Sequence, residues 1–453
     1  MSRSPARTLA LAALAAGALA LPAAAQPQPD ARLHEIARAP SAARIEADIR
    51  RLAAFGTRHT LSDTVSPTRG IGAARRWLFA EFQRISQACG GCLEVRYVGD
   101  LVRGDSAGRI PRDTRVVNVV AIQRGRADPG RYVLMAGHYD SRVTNALDSV
   151  SEAPGANDDA SGVAGVLEAA RVLSAHRFDG SIVYAALAGE EQGLHGGQIL
   201  AKHAKDNGWR IEGVLNNDII GNTRGITGAA DNTVVRLFGP GIPPTANAAE
   251  LRRILTTGGE LDGPSRQLMR YVDRVADLYT PTLDVMMIYR LDRFGRGGDH
   301  SAFFNEGFPA VRFTELYEDY TRQHQDLRVE NGIRYGDVPD AVDFAYTARI
   351  TALNAASLAS LAWAPPSPDT VAIRGGVSPH TTLRWSAVRA PDLAGYRIYW
   401  RAPEAAQWQH SRWVGNVTEF TLENVVIDNW FFAVAAVDAE GHESRPVFPV
   451  PGR

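Results

Sequence analysis

Cysteine is scarce in this chain. Two residues among 453 are too few for a disulfide-built scaffold or a four-thiolate zinc site. A surplus of positive charge is missing as well: Lys+Arg number 49 against Asp+Glu 50, a formal net charge of -1. With no basic excess to neutralise a phosphate backbone, nucleic acid is not an expected partner. Beyond the N-terminus no apolar run is long enough to span a bilayer. Hydrophobic residues at 45% and charged residues at 22% are ordinary globular values, which excludes a mostly disordered, collagen-like or coiled-coil chain. The length suggests two or three domains.

What is present begins with an export pattern. Arg3 and Arg7 precede an almost wholly apolar stretch at 8–21, and Ala23, Ala24 and Ala25 offer small residues for cleavage. Residues 1–25 therefore read as a signal peptide, because the apolar run is shorter than the roughly 20 residues a membrane span needs. The mature chain, starting at Gln26, is expected to be periplasmic or secreted, with no membrane span left. In such a compartment Cys89 and Cys92 are expected to pair at the turn between a helix and a strand.

Ser41 can cap a helix over 41–55 on which Ile45, Ile49 and Leu52 share a face, and a second amphipathic helix is expected over 70–86. Strands are expected at 93–98, 116–122, 132–137, 181–188 and 213–220, the last three apolar enough to be buried, with a helix over 158–174. Strands alternating with helices predict an α/β domain over 26–362, a mostly parallel mixed sheet flanked by helices. The Gly- and Pro-rich segment 222–298, with a helix near 264–279, reads as an insertion that overhangs the sheet as a lid or pocket wall. A helix over 340–361 gives way to a Pro-rich stretch at 363–369, which reads as a stiff linker. Beyond it, short alternating runs at 370–374, 381–386, 395–401, 418–423 and 430–437 predict a small all-β sandwich over 370–453. Trp385, Tyr396, Tyr399 and the late AVAAVDAEGHES segment resemble a fibronectin type III domain. This domain shows no cluster of metal-ligand residues, and a surface or polymer ligand or a spacing role is expected for it.

Acidic residues and histidines gather at the ends of the expected strands, where α/β sheets bind ligands. His138 and Asp140 follow the strand 132–137, and Asp158 and Asp159 open the helix 158–174. Glu190 and Glu191 follow 181–188, Asp218 lies at the end of 213–220, and His324 lies in YTRQHQD. Singly, each has a plain structural explanation: a helix cap, a solvated pair, a satisfied histidine. Together these anions would repel one another, and divalent cations are the natural remedy.

The stretches GHYDS (137–141), PGANDDASG (154–162), AGEEQGLHGG (188–197), LNNDIIGN (215–222), GGDHSAF (297–303) and YTRQHQD (320–326) carry a family resemblance. In order and spacing they resemble the exported bacterial leucine-type aminopeptidases with two zinc ions, in peptidase family M28, over about residues 40–362. The resemblance implies two Zn2+: His138 and Asp218 on one ion, Glu191 and His324 on the other, and Asp158 bridging both. It implies Glu190 as general base and Asp140 as the residue that orients His138. The activity implied is hydrolysis of the N-terminal bond of peptide substrates. Zinc accepts imidazole and carboxylate ligands and leaves a catalytic position open, its bound water ionises near neutral pH, and Glu190 relays the proton.

His300, beside Asp299, is the rival for the last ligand position, which the resemblance gives to His324. Tyr289 is a candidate for polarising the scissile carbonyl. Asp159 is expected to face away or to support the helix start, and His195 to lie at the surface. His34, His59, His176, His203, His380, His410 and His442 lack acidic company at ligand spacing. Carboxypeptidases and glutaminyl cyclases share the fold and are the alternative readings, together with a non-catalytic binding protein. A carboxypeptidase needs a cationic clamp, for which Arg290, Arg293, Arg296 and Arg322 are available.

Overall fold

Short capped helices near the N-terminus cover one face of a sheet. In the computed structural model, which describes residues 30–452, Asp30 caps α1 (Ala31–Arg38) and Ser41 caps α2 (Ala42–Ala53). Each capping side chain accepts a backbone N–H of the first turn. The expected signal peptide at 1–25 lies outside the described residues. α3 (Gly70–Ala88) ends at Cys89, whose disulfide to Cys92 closes the turn into β1 (Leu93–Val102), as anticipated.

The sheet continues with β2 (Thr114–Gln123), β3 (Asp128–His138), β4 (Gly180–Leu187), β5 (Arg210–Asn217), β6 (Val234–Phe238), β7 (Asp284–Ile288) and β8 (Ala310–Glu315). Its eight strands lie in the order β1-β2-β4-β3-β5-β8-β6-β7. β3 pairs parallel with β4 and β5, and β5 with β8, whereas β1, β2 and β6 run antiparallel to their inner neighbours. α4 (Ala160–Leu173) joins β3 to β4, and α5 (His195–Asp206) joins β4 to β5. From β3 the chain thus moves to one side, then crosses back to the other. That reversal opens a crevice at the C-terminal ends of β3 and β5.

α6 (Ala248–Thr257), α7 (Pro264–Tyr279), α8 (His300–Asn305) and α9 (Phe344–Trp363) complete the helices. Val133 and Met135 of β3 pack with α2, α4, α7 and α9, while Tyr132, Leu134 and Ala136 pack with α5 and α8. Burial on both faces is why the inner strands read as unbroken apolar runs. The segment 222–298, expected to overhang the sheet as a lid or pocket wall, adds β6 and β7 to its edge and α7 to one apolar face, and its Arg293, Gly295, Arg296 and Gly297 line a pocket at the strand ends. Five-residue strands such as VVRLF, with a charge in the middle, carry too little periodicity to stand out among Gly- and Pro-rich turns.

β9 (Arg328–Glu330) and β10 (Ile333–Tyr335) form a small hairpin before α9. After α9 come β11 (Val371–Arg374), β12 (Thr381–Trp385), β13 (Leu393–Arg401), β14 (His410–Gly415), β15 (Glu419–Leu422), β16 (Phe431–Asp438) and β17 (Val450–Pro451). They make a four-stranded and a three-stranded sheet that share one apolar cluster, including Leu383, Trp385, Tyr396, Ile398 and Phe432. β14 escapes sequence reading because its HSRWVG run faces solvent for half its length.

The stretch 363–369 is anchored to the sheet domain at both of its ends. Buried Arg131 donates to the carbonyls of Leu361, Ala362 and Ala364 at 2.7, 3.2 and 2.7 Å, capping the end of α9. Ser367 Oγ donates to Glu212 Oε2 at 3.0 Å. The sandwich then docks through buried charges. Asp262 lies 2.9 Å from Arg270 of α7 and 2.6 Å from Arg401 of β13. Glu443 lies 3.0 Å from Arg274 of α7 and 2.8 Å from Arg397 of β13. His442, expected to lack acidic company, sits 2.8 Å from both Asp438 and Asp30. Asp30 is 412 residues away in sequence, so no local spacing could reveal it.

Asp262→Ala deprives two buried guanidinium groups of their shared carboxylate, so urea unfolding should show a loss of about 3–5 kcal/mol. Burial opposes the charge on His442, but Asp438 and Asp30 outweigh it and raise its pKa above 6.5. A raised folded-state pKa contributes stability that is full below the ordinary value and is lost as pH rises through the folded value. His442→Gln should therefore lower the urea midpoint in mildly acidic buffer and change it little in alkaline buffer.

Candidate metal centre

Four connections deliver side chains to the crevice. His138 closes β3, and its backbone N–H donates to Asp159 Oδ2 at 2.9 Å. Asp159 also caps α4 by accepting the Gly162 N–H at 3.0 Å, so one carboxylate fixes a strand end and a helix start. Its role at the helix start matches expectation. Gly162 lets α4 approach β5 closely, since a Cβ there would stand 2.3 Å from the Asn217 carbonyl oxygen. Asp158 donates its backbone N–H to Asp337 Oδ2 at 2.7 Å. Glu190 and Glu191 leave β4, and both of their N–H groups donate to the Asp140 carboxylate, at 3.3 and 3.1 Å. Asp218 follows β5. His324 comes from the loop after β8 with φ of 58°, a left-handed conformation uncommon outside glycine.

Two groups of three result, and they share Asp158: His138 with Asp158 and Asp218, and Asp158 with Glu191 and His324. Asp158 presents one oxygen to each group. Its Oδ1 is 3.1 Å from His138 Nε2, and its Oδ2 is 2.9 Å from His324 Nε2. Asp218 Oδ1 is 3.9 Å from His138 Nε2, and Glu191 Oε1 is 3.0 Å from His324 Nε2. His138 Nε2 and Glu191 Oε1 are buried without a hydrogen-bond partner. Orphaned imidazole nitrogen and carboxylate oxygen facing a common space form the donor set that zinc takes, so these residues fit that metal.

Charge here is costly and specifically compensated. Burial, together with Asp218, Glu191 and Asp299, pushes Glu190 well above the usual carboxylate range against the pull of His138. Burial also opposes ionisation of Asp158, but His324 and His138 hold it well below that range. Asp218 faces the same burial and is kept low by Arg312 and His138. Arg312, fully buried on β8, places Nη2 2.8 Å from Asp218 Oδ1 and Nη1 2.6 Å from Asp292 Oδ2. Arg142 donates from Nε to Glu191 Oε2 at 2.8 Å, and its Nη2 lies 2.6 Å from His324 Nδ1.

Arg142, Arg312 and Asp337 escaped the reading of the sequence. Arg142 follows Asp140 closely past a strand end, and Arg312 is a charge inside the apolar AVRF run; those are the signals available. Asp337 offers none. Asp140 lies 3.5 Å from His138 Nδ1, and it braces the Glu190-Glu191 backbone as well. His300 stays outside both groups, with Nε2 2.7 Å from the Leu291 carbonyl oxygen. Tyr289, expected near the scissile carbonyl, is turned to the sandwich, where its hydroxyl donates to the Ala406 carbonyl at 3.2 Å. His195 is partly buried at the start of α5. Arg109, Arg142, Arg293 and Arg296 line the metal pocket of about 320 Å³. Arg290 and Arg322, counted as clamp candidates, do not line it.

The profile of Peptidase family M28 matches residues 118–336. A relative from Leptosphaeria maculans named "Probable zinc metalloprotease" is 44% identical over 94% of this chain and 99% of its own. Another of that name, from Pyrenophora tritici-repentis, is 43% identical over 94% of this chain and 88% of its own. These relatives are fungal, whereas the sequence motifs pointed to bacterial enzymes, and matches this long take in most of the C-terminal sheets. Among solved structures, the LapA aminopeptidase of Legionella pneumophila has a TM-score of 0.54 at 17% identity, covering 75% of this chain and 76% of that one. LapB from the same organism has a TM-score of 0.53 at 18% identity, covering 74% and 76%. The fold is shared: a large mixed sheet flanked by helices, with additional C-terminal sheets in this chain.

Elemental analysis after dialysis should separate the two rival histidines. His324→Ala should lose bound zinc, whereas His300→Ala, which leaves both groups of three intact, should retain the wild-type content.

Proposed function

The chain belongs to peptidase family M28, and on that premise we propose that it is a zinc-dependent aminopeptidase releasing N-terminal residues from peptides. The observation that carries this reading is the pair of three-residue groups sharing Asp158, with the Glu190 carboxylate in the same pocket but in neither group. His138 and Asp218 would hold one Zn2+, Glu191 and His324 a second, and Asp158 would bridge them. When bound, zinc supplies Lewis acidity to the scissile carbonyl and lowers the pKa of an attacking water. Glu190 moves the proton. Its carboxylate lies in the pocket outside both groups, where it can accept a proton from water and return it to the leaving amine. Asp140 pins the Glu190-Glu191 backbone, so that adjacent carboxylates keep separate tasks. Arg142 and Arg312 position Glu191 and Asp218.

A free α-amino group on the substrate would find a zinc ligand position open here, which favours the aminopeptidase reading. The arginines that a carboxypeptidase would use are largely engaged: Arg293 and Arg296 share Glu318 at 2.8 and 3.1 Å. Export through residues 1–25 belongs to the same proposal, and the Cys89–Cys92 disulfide suits an oxidising destination. The four-plus-three strand layout of the sandwich supports the fibronectin type III-like reading. Its buried ion pairs to α7 favour a rigid flank of the enzyme over a tethered polymer binder.

Chelator should abolish hydrolysis of aminoacyl substrates, and added zinc should restore it. Glu190→Gln should keep zinc and substrate affinity while kcat falls about 10²–10⁴-fold. Cleavage of N-blocked peptides in preference to free-amino peptides would overturn the aminopeptidase assignment.

A further inference from the structure

A second cleft, of about 770 Å³, has no lining residue in common with the metal pocket but is lined by neighbours in sequence of its residues. Tyr139 and Ala188 line it, and they adjoin His138 and the Gly189-Glu190 turn in sequence. Arg75 and Arg76 reach it from α3, and Arg112 and Arg115 from the β1–β2 connection and the start of β2.

The charge of these four residues is mostly uncancelled nearby. Arg76 donates to the carbonyls of Thr64 and Val65 at 2.8 and 3.3 Å, and Arg112 to that of Leu61 at 3.5 Å. Carbonyl partners fix a guanidinium while leaving its charge in place. The side chains of Arg75 and Arg115 make no hydrogen bond or ion pair among the described residues. Asp113, the one carboxylate in the lining, is taken by Arg103 at 2.5 Å and by the Gly104 N–H at 2.9 Å. Asp63, on the adjoining loop, accepts the N–H groups of Val65 and Ser66 at 2.6 and 3.0 Å and offsets part of the charge of Arg76, which leaves Arg75, Arg112 and Arg115 as the excess. In a chain of net charge -1, this local excess is not a by-product of composition.

One loop connects the two openings. Arg109 lines the metal pocket, and Arg112, three positions on in the same loop, lines the cleft. Three residues span at most about 10 Å, so the two openings border one loop within the reach of a few extended peptide residues. We propose that the cleft is an exosite for acidic side chains of the peptide substrate, a few residues beyond the scissile bond. Guanidinium groups match carboxylates in planar geometry. The proposal rests on the peptidase reading and adds a substrate class to it.

The test compares kcat/KM for peptides of equal length carrying Asp and Glu, or Asn and Gln, at positions after the first two, with an aminoacyl anilide as the short control. Wild type should prefer the acidic peptides by about 10-fold at low ionic strength, mainly through KM, and salt should shrink the preference. The double variant Arg75→Ala/Arg115→Ala should lose the preference while anilide hydrolysis and zinc content stay at wild-type levels. Equal kcat/KM for both peptide sets overturns the proposal, as does a preference that survives in the double variant. Tripolyphosphate binding that depends on Arg75 and Arg115, with no discrimination among peptides, overturns it in favour of a free anion. A wild-type protein that leaves even the anilide uncut defeats the peptidase reading first, and the exosite falls with it.

Discussion

Asp158 gives one carboxylate oxygen to each of two imidazoles, and much of the molecule serves to make that arrangement tolerable. Buried anions at the ends of three neighbouring strands repel, and the interior does not screen them as water would. Arg142 and Arg312 answer with positive charge at Glu191 and Asp218. Two further carboxylates, Asp337 and Asp140, hold the loops by accepting the backbone N–H groups of Asn157, Asp158, Glu190 and Glu191. His138 Nε2 and Glu191 Oε1 still stay buried without a hydrogen-bond partner. A cation is the element that balances what the chain leaves open, and the topology explains why it belongs there: the strand order reverses around β3.

The same solution recurs far from the crevice. The sandwich is joined to α7 by carboxylates set between pairs of arginines, Asp262 in one place and Glu443 in another. Buried ion pairs add less stability than apolar packing of equal volume, but they penalise any misaligned docking heavily. They hold α7 in register against the sheet, and with it the edge strands that flank β8, from which Arg312 reaches Asp218. The C-terminal sheets are therefore mechanically part of the catalytic body even though no residue of theirs enters the metal pocket.

The inner strands and the residues at their ends were legible because the relevant signals are contiguous. An apolar run followed directly by His138, after Gly189 by Glu190-Glu191, and after Asn216-Asn217 by Asp218 places each side chain near a strand end. Ser41 and the face formed by Ile45, Ile49 and Leu52 declare a helix in the same local way. The misreadings had two sources: local signals too short or passed over, such as Asp438 four residues before His442, and contacts that are non-local. β6 and β7 are too short to show a period, Tyr289 is drawn to the sandwich by Ala406, and His442 finds Asp30 from the opposite end of the chain.

Residue order alone thus settled the α/β class, the sandwich after the proline-rich stretch, and the roster of groups able to bind a metal, because hydrophobic period and motif spacing are properties of neighbours along the chain. Tertiary structure alone decided that Asp158 serves both imidazoles, that His324 and not His300 meets Glu191, and that Arg142 and Arg312 hold the acids in place. It also gathered four arginines from two elements around one cleft. Such facts depend on distances of a few ångströms between segments far apart in sequence, and only the packing of the sheet against its helices sets those distances.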